Sequence, residues 1–334
     1  MKQTKVIIFG CGVMGGRITE ALSKKKSFSI VGAIDIDARL VGQDLGTLIG
    51  SDQNLGISIH NEPEELFNRV EADVVVLSTI SHLKDVYSQI DQCIQAGINV
   101  VSTCEELSYP WNREPELAHK IDDMAKNKGV TVVGTGINPG FLMDTLPLIL
   151  TAPCLQVHSI KVTRMMDSSK RRVLFQKKIG TGLSLEVFRD KIDNKIITGH
   201  VGLLESINMV ADGLGWKLDE TVELPPEPVI ANREVETGLG IVKPGDVLGL
   251  ISVAYAKIGG EKVITLEFNA NAGMEEEYDE VIIEGVPSIR ERIIGGVHGD
   301  IGTVAVTINT IPRAIQSEAG LILMKDLPPA IATC

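Results

Sequence analysis

Apolar and polar positions alternate in two different ways along this chain. Over the first 135 residues or so, short runs rich in Val and Ile are separated by segments with apolar residues at helical spacing, such as Leu83–Ala96 and Glu114–Lys128. Buried strands that alternate with amphipathic helices predict a parallel sheet covered by helices on both faces. The predicted strands are Lys5–Gly10, Ser29–Asp35, Ile57–His60, Asp73–Ser78, Ile98–Ser102 and Val130–Gly134.

The pattern changes near residue 150, beyond which strand-like runs dominate. A helix is predicted over Thr198–Leu214, and a last helix within Gly295–Ile315 is expected to pack back on the first domain. In that helix Asp300 is placed as a cap and Pro312 as a disturbance. Such a strand-rich region predicts an antiparallel or mixed sheet with its helices on one face. Its predicted strands are Gln156–Met165, Asp219–Pro228, Val247–Ile258, Lys262–Ala270 and Glu280–Glu284.

Together these patterns predict an α/β protein of two domains, since 334 residues exceed one ordinary core. The first is a doubly wound parallel sheet, placed at residues 1–148 plus 295–334. The second is an α+β domain with a mixed or antiparallel sheet, placed at residues 149–294 and assigned to substrate binding and dimerisation. The apolar strand Val247–Ile258 is expected to leave an exposed pairing edge or face unless another subunit covers it, which predicts a homodimer through this domain.

The first predicted strand runs into a glycine-rich turn with the spacing Gly10-x-Gly12-x-x-Gly15. A nucleotide pyrophosphate binds against N–H groups at a helix N-terminus, so this turn between a strand and the helix expected at Arg17–Lys24 indicates a dinucleotide site. Asp35 ends the second strand, where a carboxylate accepts a hydrogen bond from a ribose hydroxyl. The sequence therefore predicts a Rossmann-type domain that binds NAD or NADP.

The choice between NAD and NADP is left open. Asp35 favours NAD because it repels a 2′-phosphate, whereas Arg39 lies four residues further on and is placed to bind one. Thr79 follows the predicted strand Asp73–Ser78 at the same edge of the sheet. The candidate cofactor-binding residues are Gly10, Cys11, Gly12, Val13, Met14, Gly15, Asp35, Arg39 and Thr79.

Charge and cysteine content limit the kinds of ligand and partner that the protein is expected to bind. The net charge of −12 argues against nucleic acid or an anionic membrane surface, and favours a small ligand. No apolar run reaches the length of a membrane span and no apolar leader follows Met1, so a cytoplasmic protein is expected. The five cysteines are scattered, without a Cys-x-x-Cys pair or another metal motif, so no metal is expected. Cys11 and Cys104 lie where a reactive thiol would matter, but unpaired thiols are usually packing residues.

Two neighbouring acids, Glu105 and Glu106, follow the strand Ile98–Ser102, with Tyr109 and Trp111 close behind. The carboxyl end of a central strand is where a nicotinamide would lie, and a carboxylate beside apolar rings has a raised pKa suited to a general base. The alternative is a pair of acids that favour a helix start through the helix dipole.

Three further residues are candidates for substrate binding. Asn138 lies in the turn that follows the last strand of the first domain, where a plain reverse turn is the alternative. Arg164 lies inside an apolar strand, unlike the charged loop Lys170–Arg172, and would give a substrate carboxylate a charge-assisted partner. His200 lies in the first turn of the predicted helix Thr198–Leu214, where a structural histidine is the more common outcome.

The chain also resembles a known family. The resemblance rests on the glycine turn, Asp35-Ile36-Asp37, the sequence STCEELSYPW from Ser102 to Trp111, GINPGF at 136–141 and GGVHGDIGT at 295–303. These segments are similar to those of 2,4-diaminopentanoate dehydrogenases and the related native amine dehydrogenases. The layout is more distantly similar to dihydrodipicolinate reductase, whose paired-histidine, lysine-bearing motif is missing here.

The resemblance implies oxidative deamination with NAD or NADP, in which a diamino acid gives 2-amino-4-oxopentanoate and ammonia in ornithine fermentation. It places the active-site carboxylate on Glu105 and lines the substrate pocket with Asn138, Arg164 and His200. Arg164 is our choice for the carboxylate anchor. Glu106 is either the rival base or the partner of the amine that does not react.

Other functions stay open at this point. The same scaffold is used by hydride transferases that act on simple amines and ketones, on amino acid semialdehydes or on other amino acids. A nucleotide sensor without catalysis would keep the cofactor fold, but it would not need Glu105 and Arg164 to face one cleft.

Overall fold

The computed structural model describes residues 3–50 and 54–332. The chain divides into two compact units, Met1–Phe141 with Gly299–Cys334, and Leu142–His298. The expected boundaries were 148/149 and 294/295. The segment after Phe141 lies in the second unit because Asp144 accepts a hydrogen bond from Ser206 Oγ at 2.7 Å. Residues 295–298 also belong there, because Val297 O accepts a hydrogen bond from Arg164 Nη2.

Sixteen strands and ten α-helices lie in the described part of the chain. The strands are Thr4–Phe9 (β1), Phe28–Ile34 (β2), Ile59–His60 (β3), Val74–Leu77 (β4), Asn99–Ser102 (β5), Thr131–Gly134 (β6), Gln156–Asp167 (β7), Glu220–Glu223 (β8), Glu227–Ile230 (β9), Val235–Thr237 (β10), Gly240–Val242 (β11), Val247–Ile258 (β12), Glu261–Asn271 (β13), Tyr278–Val286 (β14), Ile289–Ile294 (β15) and Gly320–Leu321 (β16). The helices are Val13–Ser23 (α1), Leu45–Leu48 (α2), Pro63–Arg69 (α3), Leu83–Gln95 (α4), Pro115–Lys128 (α5), Thr145–Leu150 (α6), Val173–Lys178 (α7), Leu185–Asp193 (α8), Leu203–Gly213 (α9) and Gly299–Gln316 (α10).

The first unit is built on a parallel sheet with the strand order β16-β6-β5-β4-β1-β2-β3. Its central strands are runs of Val and Ile that are buried on both faces, as the sequence pattern predicted. Helices α4 and α5 pack against one face and α10 against β5 and β6. The predicted fold class is confirmed, and all loops that follow the strands lie along one edge of this sheet.

Helix α1 starts four residues earlier than predicted, at Val13 instead of Arg17. Gly12 is its N-cap, so Gly15 and Gly16 are helical residues rather than part of the preceding turn. A Cβ on Gly15 would lie 1.8 Å from Gly10 O, so α1 can start against the end of β1 only because Gly15 has no side chain. The glycine turn and the helix are thus one continuous structure.

The second unit contains a mixed sheet with the order β15-β14-β7-β13-β12-β8, in which β9 also pairs with β12. Strands β7 and β13 are parallel and their other pairings are antiparallel, which agrees with the predicted mixed sheet. The prediction of one strand over Asp219–Pro228 is wrong. Two strands lie there, interrupted at residues 224–226, where two consecutive prolines lack the N–H groups of a ladder.

Strand β12 is not an exposed edge, contrary to expectation. It lies between β13 on one side and β8 and β9 on the other, and most of its residues are buried. The argument for a homodimer from an unpaired β12 therefore fails. Strand β15 was not predicted, because the charged residues Arg290, Glu291 and Arg292 interrupt its apolar pattern.

The two helices that were expected to carry a site residue or a cap differ in detail. Helix α9 begins at Leu203, so His200 lies in the loop before it rather than in its first turn. Asp300 lies inside α10 and is not its cap; its carboxylate is buried and pairs with Arg17 of α1 at 2.7 Å. Pro312 is accommodated within α10, which continues to Gln316.

Within residues 3–50 and 54–332, no helix has the length and apolarity that a membrane crossing requires.

We predict that Gly134→Ala destabilises the first unit. The added Cβ would lie 2.5 Å from Leu107 C and 2.6 Å from Ser108 N, and backbone atoms have little room to shift. The expected loss is about 1–3 kcal/mol of unfolding free energy, measured by urea denaturation. Gly16→Ala is the control, since its Cβ meets nothing closer than 3.9 Å and a helical alanine stabilises by about 0.5–1 kcal/mol. Equal stability of the two variants would contradict this packing argument.

Candidate active site

The glycine turn has the shape that a dinucleotide pyrophosphate requires. Gly10 has φ +94°, in the left-handed region, and its Cβ would collide with Ser78 O and the Thr79 methyl group. A Cβ on Gly12 would meet no atom within 4 Å, so the N-terminus of α1 is open on that side. The turn thus combines tight packing against the β4 loop with free access to the helix N-terminus, which fits a phosphate group.

Asp35 lies directly after β2 and connects this strand to the turn. Its Oδ2 accepts a hydrogen bond from Cys11 N at 2.6 Å and its Oδ1 accepts one from Asp37 N at 2.8 Å. The carboxylate is only partly buried, and a carboxylate oxygen can accept more than one hydrogen bond. The carboxylate of Asp35 therefore fixes the turn and keeps acceptor capacity that a ribose hydroxyl could use.

Arg39 is held by a neighbouring acid. Its Nε and Nη2 donate to both carboxylate oxygens of Asp37, at 3.1 Å and 2.6 Å for Oδ2, and its side chain is 88% exposed. Hydrogen bonds from Arg39 lower the pKa of Asp37 to about 2. An incoming 2′-phosphate would therefore have to compete with Asp37 for this guanidinium group.

Glu105 is the first residue of a 3₁₀ turn, Glu105–Ser108, that follows β5. The turn is fixed on two sides, because it packs against Gly134 without any intervening side chain and because Ser81 O accepts a hydrogen bond from Glu106 N at 3.2 Å. Ser108 Oγ also donates to Glu105 O at 2.7 Å. Glu105 is half-buried at the carboxyl edge of the sheet, on a rigid piece of backbone.

The carboxylate of Glu106 binds other residues of the first unit. It is 6% exposed, and its Oε2 accepts a hydrogen bond from Leu83 N at 2.8 Å, at the first residue of α4. Its Oε1 lies 3.0 Å from His82 Nδ1 and 3.7 Å from Arg113 Nη1. His82 provides no side-chain cap for α4, so the carboxylate of Glu106 caps this helix from another part of the chain.

Asn138 lies in a compact turn after β6. Gly140 has φ +123°, and its Cβ would lie 2.4 Å from Gly136 N, so the turn closes tightly on itself. Ile137 N donates to Thr303 Oγ1 of α10 at 3.4 Å. This turn belongs to the same edge of the sheet as the glycine turn and Glu105, as predicted from the sequence.

Arg164 lies on β7 in the second unit and is 3% exposed. Its neighbours directly across the sheet are Phe268 on β13 and Asp279 on β14, so the three side chains share one face. The Arg164 Nε lies 3.6 Å from Asp279 Oδ1, and Nη2 donates to Val297 O. Burial raises the pKa of Asp279, although Arg164 and the N–H of Val297 oppose this shift.

His200 is connected to Arg164 through Phe268. The imidazole ring stacks on the Phe268 ring with centroids 4.3 Å apart and an interplanar angle of 15°. The backbone N–H of His200 donates to Ser252 Oγ, and Ser252 is the cross-strand neighbour of Phe268. Sequence analysis missed Phe268, Ser252 and Asp279, because cross-strand register is not visible in local sequence. The signal that could have identified Asp279 is its position two and four residues before Val281 and Ile283, on the buried face of β14.

The structure thus places the candidate residues in two groups. The cofactor residues, Glu105, Glu106 and Asn138 all belong to the first unit, with Val13, Met14 and Gly15 in the first turn of α1 and the others in the segments that follow strands. Arg164 and His200 belong to the second unit. Burial raises the pKa of both the Cys11 and Cys104 thiols to about 12, which does not suit a nucleophile. Cys334 lies outside the described residues. No group of three potential metal ligands occurs among the residues that are described.

Comparison with known proteins agrees with this geometry. A family described as "2,4-diaminopentanoate dehydrogenase C-terminal domain" matches residues 141–334, and one described as "Dihydrodipicolinate reductase, N-terminus" matches residues 4–135. The chain is 36% identical to the 2,4-diaminopentanoate dehydrogenase of Acetoanaerobium sticklandii, over 98% of this chain and 94% of that protein. It belongs to the 2,4-diaminopentanoate dehydrogenase family. The resemblance inferred from the sequence motifs is confirmed.

More distant relatives share the architecture. An amine dehydrogenase of Streptomyces virginiae is 23% identical over 97% of each chain. The solved structure of the amine dehydrogenase from Mycobacterium smegmatis has a TM-score of 0.85 at 24% identity, and covers 99% of this chain and 98% of that one. This member of the 2,4-diaminopentanoate dehydrogenase family is accordingly an oxidoreductase with a nucleotide-binding fold.

We predict that Glu106→Ala destabilises the protein by about 1–3 kcal/mol, because the N–H of Leu83 loses its buried acceptor. Urea denaturation measures the change. Glu116→Ala is the control, since Glu116 is an exposed acid in the first turn of α5, and such a surface change is expected to cost less than about 0.5 kcal/mol. A loss at Glu106 no larger than at Glu116 would mean that this carboxylate is not a helix cap.

Proposed function

We propose that the protein catalyses the NAD(P)-dependent oxidative deamination of 2,4-diaminopentanoate to 2-amino-4-oxopentanoate and ammonia, a step of ornithine degradation. The observation that carries the proposal is the placement of Glu105 on a fixed turn at the same sheet edge as the glycine turn. The relative from Acetoanaerobium sticklandii, which is 36% identical along nearly the whole chain, supports the choice of substrate.

The cofactor residues fit NAD(P) by their own geometry. Gly10, Gly12 and the N-terminus of α1 would hold the pyrophosphate, and Asp35 would bind the adenosine ribose. The bound nicotinamide would supply the hydride acceptor. Thr79 is included in this group because it borders the glycine turn, its methyl group lying 2.8 Å from where a Cβ on Gly10 would be.

Glu105 has two proton-transfer roles in this proposal. It first takes a proton from the reacting ammonium group of the substrate, which frees the nitrogen lone pair. This lone pair forms the C=N bond of an iminium ion as the carbon attached to the nitrogen loses its hydride. After releasing this proton to solvent, Glu105 takes a proton from the water that attacks the iminium carbon and passes it to the nitrogen of the resulting carbinolamine. The C–N bond then breaks as ammonia leaves, and the hydroxyl group loses its proton to become the ketone carbonyl. Glu106 is less suited to these roles, because its oxygens already bind Leu83 N and His82.

The proposal predicts reduced-nicotinamide absorbance and ammonia release when the protein is mixed with 2,4-diaminopentanoate and NAD or NADP. Glu105→Gln is expected to lower kcat by at least about 100-fold, the contribution of a positioned base. The dissociation constant for NADH, measured by fluorescence titration, is expected to stay within about twofold. The matched control Glu116→Gln should keep full activity, since Glu116 is exposed on α5.

Two results would contradict this assignment. Retained activity in Glu105→Gln would exclude Glu105 as the base, and lost NADH binding would make it a structural residue of the cofactor site. Absence of turnover in the wild-type protein would reject 2,4-diaminopentanoate as the substrate. Turnover of pentan-2-amine in its place would assign the protein to simple amines.

We also propose that the enzyme prefers NAD to NADP, because Asp37 occupies the guanidinium group of Arg39. Arg39→Ala is expected to raise KM for NADP by about tenfold, the value of one charge-assisted hydrogen bond, with KM for NAD changed less than twofold. Asp37→Asn is expected to lower KM for NADP, because the neutral amide no longer neutralises Arg39. Initial rates with each cofactor test both variants, and an equal effect of Arg39→Ala on both cofactors would refute the argument.

Two further expectations are retained as proposals. A reducing, cytoplasmic location is supported by four cysteines that are free thiols among the described residues. A homodimer is supported by apolar side chains that are more than 60% exposed in the second unit, namely Leu155, Leu174, Ile196, Ile241 and Ile294.

A further inference from the structure

The second unit contains a pocket of about 120 Å³ that is lined by charges of both signs. Its walls come from the end of β7, the residues just after it, the start of β14 and the segment before α10. The charged residues that line it are Arg164, Asp167, Lys170, Arg171, Glu277 and Asp279. Three cationic and three anionic side chains therefore surround a space of the size of a few water molecules.

Several of these charges already have partners within the protein. Lys170 pairs with Glu277, whose Oε1 also accepts a hydrogen bond from Asp167 N. Asp167 Oδ1 accepts hydrogen bonds from the backbone and hydroxyl group of Ser169 and from Gly273 N. These contacts hold the wall of the pocket together and leave those groups little capacity for a ligand.

Arg164 and Asp279 differ from them. Arg164 Nη1 and Asp279 Oδ1 are both buried, and neither has a hydrogen-bond partner among residues 3–50 and 54–332. The 3.6 Å between Arg164 Nε and Asp279 Oδ1 is an ion-pair contact but too long for a hydrogen bond. Buried polar atoms are almost always satisfied in proteins, so an unused donor on a cation and an unused acceptor on an anion point to a ligand.

The pair of charges defines the chemistry of that ligand. A lone carboxylate bound to Arg164 would also face the anionic Asp279, and a lone ammonium group bound to Asp279 would face Arg164. A group that carries both charges a few bonds apart satisfies both residues at once. The α-ammonium and α-carboxylate of an amino acid, joined by one carbon, form such a group and are small enough for the pocket.

We propose that this pocket binds the α-amino acid head of the substrate, with its carboxylate on Arg164 and its ammonium on Asp279. The inference rests on the proposed function, because it assigns the unreactive end of a diamino acid to these two residues. Arg164 was expected from the sequence to bind a carboxylate; the added element is Asp279, which makes the site selective for a zwitterion. A simple amine has neither the carboxylate nor a second ammonium group, and would gain nothing from this pocket while its single amine reacts.

Binding of small probes to the wild-type protein loaded with NADH, which cannot accept a hydride, tests the proposal without turnover. Isothermal titration with 2-aminopentanoate, which has the head but no second amine, is compared with pentanoate and pentan-2-amine. We expect 2-aminopentanoate to bind at least about tenfold more tightly than either of the other probes, and to compete with 2,4-diaminopentanoate. Equal or weaker binding of 2-aminopentanoate would overturn the proposal, and would mean that the pocket holds only water.

Variants then locate the site. Arg164→Met and Asp279→Asn are each expected to weaken binding of 2-aminopentanoate by at least about tenfold. The matched controls Arg189→Met and Asp190→Asn, which change exposed residues on α8, should leave it unchanged. Asp279→Asn retains the shape of the side chain, so this variant alone can test the site if Arg164→Met does not fold. Unchanged binding in folded Asp279→Asn would exclude Asp279 from the site.

The outcomes separate this proposal from the proposed reaction. If 2-aminopentanoate binds through Arg164 and Asp279 but 2,4-diaminopentanoate is not oxidised, the pocket is supported and the reaction is rejected. If 2,4-diaminopentanoate is oxidised while Asp279→Asn leaves its KM unchanged, the reaction is supported and the pocket is rejected.

Discussion

Burial of the central parallel strands on both faces is the constraint on which the first unit depends. β1, β4, β5 and β6 are runs of Val and Ile between layers of helices, so polar side chains have no place along them except at their ends. The glycine turn, Asp35, Glu105 and Asn138 accordingly follow strand ends at one edge. The positions of the candidate functional residues in this unit thus follow from the burial of its core.

The adjacent acids that follow β5 have different roles, one structural and one proposed to be catalytic. In a 3₁₀ turn, successive side chains point in different directions, so Glu105 and Glu106 meet different surroundings. Glu106 is directed into the protein, where it caps α4 and fixes the turn. Glu105 is carried on that fixed backbone, which gives a proposed base the positional precision that proton transfer requires.

Local sequence predicted the strands and turns of the first unit well, because a parallel sheet buried on both faces produces runs that are visible without tertiary information. Prediction from local sequence failed where the structure depends on pairing between strands that are distant in sequence. β12 has the composition of an exposed apolar strand, yet β8 and β9 cover it. Asp279 was missed for a related reason, since its role depends on its position opposite Arg164, and register between distant strands is not encoded in either strand alone.

The row formed by Ser252, Phe268, Arg164 and Asp279 crosses four neighbouring strands, whose other buried residues on this face are apolar. Removal of one member of a buried ion pair is costly, but joint replacement of both by apolar residues of similar volume is often neutral or stabilising. A change at Arg164 and Asp279 together is therefore compatible with the same sheet. If the pair binds the substrate as proposed, what this pocket accepts would depend on two side chains that the surrounding sheet does not itself require.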